Sequence, residues 1–261
     1  MSKIYESIKE CKFFATGTCA DIYITKDDKI VKVVELNNKH EFESKKLAIM
    51  SCYAEHELIN LIGTYKSYGV YISKKHGYIT MDKVPGKSLH EIFDNDLFKF
   101  IDADDALSVI KDWTKQLIQL HEVGVCHYSL HKSNLFMNNN KGYIIDFGNA
   151  VLDKDYENDY KFLRTSTKMK NNYRRIFTVQ NDFYFYIKNV QKFIQNVESV
   201  KDSIQFKKLK RLNKYIHYKK KELKEKEFSK KNHAIDLYSF MLNLDNMKLK
   251  ERSCDDTTDF M

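Results

Sequence analysis

Apolar and polar residues alternate along the first third of the chain and then give way to helical spacing. Residues 13–34, FFATGTCADIYITKDDKIVKVV, form a short apolar run, a Gly-containing turn, and then DIYI and IVKVV separated by the polar TKDDK. This pattern predicts strand, loop, strand, turn, strand. From His40 to Ile62, Leu47, Met50, Ala54, Leu58 and Leu61 recur three or four residues apart and predict one face of a helix. The next run, GTYKSYGVYISKKHGYITMDKV, reads as two more strands. Pro85 and Gly86 break that pattern, and ALSVIKDWTKQLIQLHEVG predicts an amphipathic helix ended by Gly124. After IIDFGNAV, the segments NDFYFYIKNVQKFIQNV, a basic stretch and AIDLYSFMLNL each predict a helix. The expected fold is α+β and bilobal. Residues 1–83 form a small antiparallel sheet with one main helix, 84–200 a mostly helical lobe, and 201–261 a basic helical continuation or extension of it.

Charge changes this picture in one place. The net charge is +8, and residues 201–231 hold 13 Lys and Arg against 4 Asp and Glu, so the rest of the chain is close to neutral. Leu209, Leu212 and Ile216 fall on one side of that basic helix, which predicts a docked helix with a solvated cationic face. The same face would suit an acidic protein, nucleic acid or an anionic membrane surface, with the acidic protein slightly favoured. The five cysteines are scattered, with no C-x-x-C pair and no zinc-ligand spacing, which fits a reducing compartment. The N-terminus lacks a signal-peptide core and no window approaches roughly 20 apolar residues, so a soluble, cytoplasmic protein is expected.

The chemistry that these residues could carry is phosphoryl transfer. It needs backbone close to phosphates, a fixed cation, oxygen ligands for magnesium, and a residue that orients the acceptor. Gly17 lies in the turn between the first two strands, where a missing side chain lets backbone approach phosphate or merely closes a hairpin. Lys32 is centred in the apolar KIVKVVEL and needs a counter-ion or ligand, unless it reaches solvent from an edge strand. Glu55 on the following helix is the expected partner, with Leu58, Ile59 and Ile62 setting its face and Glu57 the alternative. Asn134 in HYSLHKSNLF and Asp146 in GYIIDFG lie on either side of a short hairpin with the turn MNNNKG. An amide and a carboxylate so placed can converge on one Mg²⁺.

Taken together, residues 13–190 resemble the protein-kinase superfamily. YITMDKVPGKSL is similar to its inter-lobe hinge, which implies Met81 at the back of an adenine pocket and backbone offered by Asp82 and Val84. HYSL occupies the catalytic loop, and Ser129 stands where the resemblance implies the catalytic aspartate. The hinge Val84–Leu89, the HYSL loop and Asn181–Tyr184 look most like compact bacterial effector kinases of the OspG and NleH type. That resemblance implies ATP and Mg²⁺, Ser/Thr acceptors or autophosphorylation, and a host-cell setting; a viral kinase-like protein would share the composition. Tyr128 replaces the usual arginine, and with Pro85 the sole proline no A-P-E motif exists, so activation by loop phosphorylation is not expected. Asp182 and Asp236 compete as the residue supporting the catalytic loop. The expected function is therefore an ATP·Mg²⁺-binding pseudokinase. The alternatives are an active Ser/Thr kinase, with Asp153 or Asp155 approaching the acceptor, and a small-molecule phosphotransferase.

Overall fold

The alternating N-terminal runs pair into a single antiparallel sheet. The computed structural model describes residues 10–17, 20–37, 44–153, 164–165, 178–198, 206–225 and 233–246. Strands β1 (Lys12–Thr16), β2 (Ala20–Ile24), β3 (Lys29–Glu35), β4 (Ser67–Ile72) and β5 (His76–Asp82) lie in the order β1-β2-β3-β5-β4. β3 is the central strand, with Lys32 opposite Ile22 on one side and Ile79 on the other. The edge-strand route to solvent is thereby closed to Lys32, which is buried.

Helix α1 (Lys45–Ile62) starts at Ser44, whose hydroxyl accepts the Leu47 N–H, and stops at Gly63, whose φ of 68° lets its N–H turn back to the Ile59 carbonyl. Its inward face carries Ala48, Ser51, Cys52, Glu55, Leu58, Ile59 and Ile62. The stripe expected from hydrophobicity holds at Ala54 and Leu58, both buried, but Leu61 is exposed, and Leu47 and Met50 are only partly buried. Polar Ser51 and Glu55 claim part of the inward face because they have partners there, and apolar spacing cannot register that.

Beyond Pro85, β6 (Lys87–Ser88) runs into α2 (Leu89–Asp94), where Ser88 and Glu91 cap each other reciprocally. Helix α3 (Ala103–Glu122) follows, then β7 (Val125–Cys126), the hairpin β8 (Leu135–Asn138) and β9 (Lys141–Ile144), and β10 (Val151–Leu152). β10 pairs antiparallel with β7 and parallel with β11 (Arg164–Thr165). Helices α4 (Val179–Glu198), α5 (Phe206–Glu225) and α6 (His233–Asn246) complete the second lobe. One apolar core runs from Leu58 and Ile79 through Leu117 and Trp113 to Phe193 and Leu212. Leu209, Leu212 and Ile216 of α5 face that core, while Lys207, Lys210, Arg211 and Lys214 are exposed. No described helix is long and apolar enough to cross a membrane.

Helix α3 also finishes the hydrogen bonding of the β8–β9 hairpin. The Trp113 indole N–H donates to the carbonyls of Phe136 (2.9 Å) and Tyr143 (3.2 Å). The Gln116 side-chain oxygen accepts from Ile144 N–H and its amide donates to the Gly142 carbonyl, both at 2.8 Å. Helix side chains thus satisfy backbone groups that a neighbouring strand would otherwise serve, and they fix the hairpin between Asn134 and Asp146. Gly142 is tight against this seam: a Cβ there would lie 2.5 Å from the Val109 carbonyl oxygen and 3.0 Å from the Trp113 ring. Gly142→Ala is expected to cost roughly 1–3 kcal/mol of stability in chemical denaturation; a variant as stable as wild type would show that the seam yields freely.

Candidate functional site

The centre of the site is a three-membered charge cluster between the lobes. Lys32 Nζ lies 2.8 Å from Glu55 Oε2 and 2.6 Å from Asp146 Oδ1. Glu55 is the member of the Glu55/Glu57 pair that faces inward, being 2% exposed, whereas Glu57 is exposed. Burial disfavours the Lys32 ammonium, but Asp146 and Glu55 more than offset this, so its pKa is raised. For Glu55 burial dominates over Lys32 and raises the carboxyl. Lys32, acting against burial, holds Asp146 below the ordinary carboxylate value. Ser51, one helical turn before Glu55, donates its hydroxyl to the Gly148 carbonyl and so ties α1 to the turn that follows Asp146. Asp146 itself has φ 65°, outside the usual range for a residue with a side chain, a strained conformation of the kind found at functional sites.

The loop between β7 and β8 is built around two buried histidines and one buried aspartate. His127 is neutral-favoured through burial; its Nε2 donates to the Ile145 carbonyl at 2.9 Å and its Nδ1 accepts the Ser129 N–H at 3.3 Å. Asp182, 1% exposed on α4, accepts the backbone N–H groups of His127 (2.8 Å) and Tyr128 (3.0 Å) and the His121 Nε2 hydrogen (3.0 Å). The choice between Asp182 and Asp236 is thereby made: Asp236 lies on α6, 3.6 Å from Lys219. The Ser129 carbonyl accepts from His131 N–H and from Asn134 Nδ2, both at 2.9 Å. Asn134 is 4% exposed, and its main-chain carbonyl accepts the Ile145 N–H (3.0 Å), one residue before Asp146.

Lys32, Glu55, Ser129, Asn134 and Asp146 all line one cavity of about 400 Å³, as do Gly17, Met81, Asp82 and Val84. The volume lies within the range of roughly 300–1,000 Å³ usual for small-molecule sites. Ala20, Ile22, Ile30 and Phe136 give it an apolar wall, and the charged residues form its other end. Asp82 N–H is spent on the Lys66 carbonyl and its carboxylate accepts from Lys66 N–H and the Tyr68 hydroxyl, which leaves its carbonyl as its contribution. Gly17 N–H donates to the Ala20 carbonyl at 2.8 Å. The glycine therefore offers close backbone approach rather than its own donor.

One expectation is overturned. Asp153 does not approach an acceptor: it is 4% exposed and accepts the Val179 N–H at 2.9 Å, at the first turn of α4. Pairing of β10 with β7 turns the chain inward and carries Asp153 under the helix; Asp155 lies outside the described residues. Sequence reading also missed His121, Trp113, Gln116 and Ser51 as supports of the site. His121, Gln116 and Ser51 are polar side chains inside apolar helical patterns, and that mismatch was the available signal, whereas Trp113 reads simply as core. Among the described residues no cluster of three or more His, Cys, Asp or Glu is placed to hold a metal ion; Asp146 and Asn134 line the cavity together with the carboxylates of Glu55, Asp82 and Glu91. No known protein-family model matches the chain. Over 95 residues it is 30% identical to KEOPS complex subunit Bud32 of Pyrococcus abyssi (strain GE5 / Orsay), a stretch that covers 36% of this chain and 41% of that relative. The chain thus spans well under half of the relative it matches, and its two-lobed architecture is that of a kinase-like fold.

Proposed function

We propose that the chain binds ATP with Mg²⁺ in the inter-lobe cavity and serves as a nucleotide-responsive binding module, a pseudokinase whose transfer to separate protein Ser/Thr acceptors is impaired. The observation that carries this reading is the Lys32–Glu55–Asp146 cluster facing the same cavity as Ser129. The residues fit the ligand. Lys32 would hold phosphate, Met81 would close the back of the base pocket, and Asp82 and Val84 would offer the base their backbone. Asp146 and the Asn134 Oδ1 would take the metal, which supplies charge neutralisation on the phosphates. A serine hydroxyl cannot orient or accept an acceptor proton as a carboxylate does, a contribution of roughly 10²–10⁴-fold. A small-molecule phosphotransferase would place a second acid soon after the metal aspartate. Here that position is Gly148, whose Cβ would come within 3.2 Å of Glu55.

Its narrower form is a compact effector-type kinase relative acting in a host cytosol, with the exposed cations of α5 offered to an acidic protein. Buried free thiols at Cys52 and Cys126 accord with a reducing compartment. Radiolabel transfer to a generic protein acceptor tests the reading. Wild type should transfer slowly or not at all, and Ser129→Asp should gain about 10- to 100-fold, part of the general-base contribution. A wild type working at ordinary kinase rates, or a variant that gains nothing, would sink it.

A further inference from the structure

We infer that Ser129 is itself the acceptor of the γ-phosphoryl group, so that the chain modifies its own catalytic loop once instead of turning over on a separate substrate. This rests on the nucleotide reading above. Among the described residues that line the cavity, the only side-chain hydroxyls are those of Ser129 and Tyr65. Tyr65 is 8% exposed beside Glu55 and Asp146, a setting in which a phenol neither ionises nor swings out. Ser129 is half-buried at the charged end of the cavity, its carbonyl pinned by two donors and its Oγ 3.5 Å from Asn134 Nδ2. The hydroxyl therefore stands on a rigid loop next to the amide assigned to the metal.

Physical chemistry favours this acceptor over a diffusing one. Loss of an orienting carboxylate costs roughly 10²–10⁴ in rate, whereas a hydroxyl built into the wall gains an effective concentration that reaches about 10⁵–10⁸ M in well-oriented systems. In the loose transition state of phosphoryl transfer the acceptor proton leaves late, so a strong base is not required. The Oγ lone pair forms the bond to the γ-phosphorus while the bond from that phosphorus to the β,γ-bridging oxygen breaks. ADP departs with that electron pair, and the hydroxyl proton passes to water at the open mouth of the cavity. The product is a phosphoserine dianion where an aspartate would stand, facing the site of the next γ-phosphate. Like-charge repulsion then sets the modified chain toward ADP and against ATP.

The test incubates the full chain with ATP and Mg²⁺, maps phosphate by peptide mass spectrometry and follows nucleotide binding by thermal shift on the same sample. Phosphate is expected on Ser129, at most one per chain, at a rate independent of protein concentration. It should be absent in Ser129→Ala and present, more slowly, in Ser129→Thr. The modified protein should bind ATP at least about tenfold more weakly than the unmodified one, with a smaller change for ADP. Nucleotide stabilisation without phosphate on Ser129 would overturn this inference alone, as would equal labelling of Ser129→Ala or a rate proportional to protein concentration. Absence of nucleotide stabilisation would instead overturn the nucleotide site, and this inference with it.

Discussion

Lys32→Met will destabilise the protein by about 3 kcal/mol and weaken ATP binding at least about tenfold. The substitution preserves most of the apolar stem but removes the cation between Glu55 and Asp146, whose side chains are 3% and 40% exposed. Breaking a buried pair from one side costs roughly 3–5 kcal/mol because the other charge stays behind. The lower end applies because solvent screens Asp146. The deficit depends on pH with a definite sign. Burial already raises Glu55 above its ordinary 4.5, and without Lys32 it rises further, so the folded variant takes up a proton that the unfolded chain does not. The variant is therefore least impaired near and below that value and loses stability as pH rises above it. In wild type the depressed Asp146 works the same way on the difference: its contribution is present above the ordinary value and is lost as pH falls through the folded one. Urea denaturation at several pH values reads this directly. A deficit that grows on acidification would contradict the assignment of the charges.

Asp182→Ala will be as damaging, and at a distance from any ligand. It leaves the His127 and Tyr128 N–H groups and the His121 Nε2 hydrogen without their acceptor in a buried setting. Unsatisfied buried donors cost roughly 1–3 kcal/mol each, with partial relaxation; a total of about 3–5 kcal/mol is expected. Asp236→Ala is the matched control. Its carboxylate is 25% exposed, 3.6 Å from Lys219 and 4.0 Å from His233, so its removal is expected to cost less than that of the 1%-exposed Asp182. Denaturation midpoints of the two variants separate the assignments, and equal losses would mean that Asp182 is not the support of the loop.

The N-terminal strands, α1 and the Asn134–Asp146 hairpin were legible because period and turn residues agree there. Asn139 in the NNNK turn, at φ 51°, and Gly86 after Pro85, at φ 92°, both adopt the left-handed backbone that such turns use. The Lys32–Glu55 pairing was legible through a different signal, a charge that an apolar strand cannot bury alone. The aim of α1 was less legible, since Ser51 and Glu55 sit on its inward face while Leu61 points out. Asp182 and Asp236 were indistinguishable because both open apolar helices after a polar segment. Only the approach of β7 to α4 in space separates them. Asp153 was misjudged for a related reason: its distance along the chain from Asp146 says nothing of the pairing between β7 and β10 that turns it inward.

The central claim is a magnesium-dependent nucleotide site built on Lys32, Asn134 and Asp146. Calorimetric titration of ATP into wild type and Lys32→Met, each with and without Mg²⁺, tests it most directly. The account predicts binding to wild type that strengthens with Mg²⁺ and falls at least about tenfold in the variant, a loss of roughly 1.4 kcal/mol or more. No binding to wild type, or equal affinity in the two proteins, would contradict it.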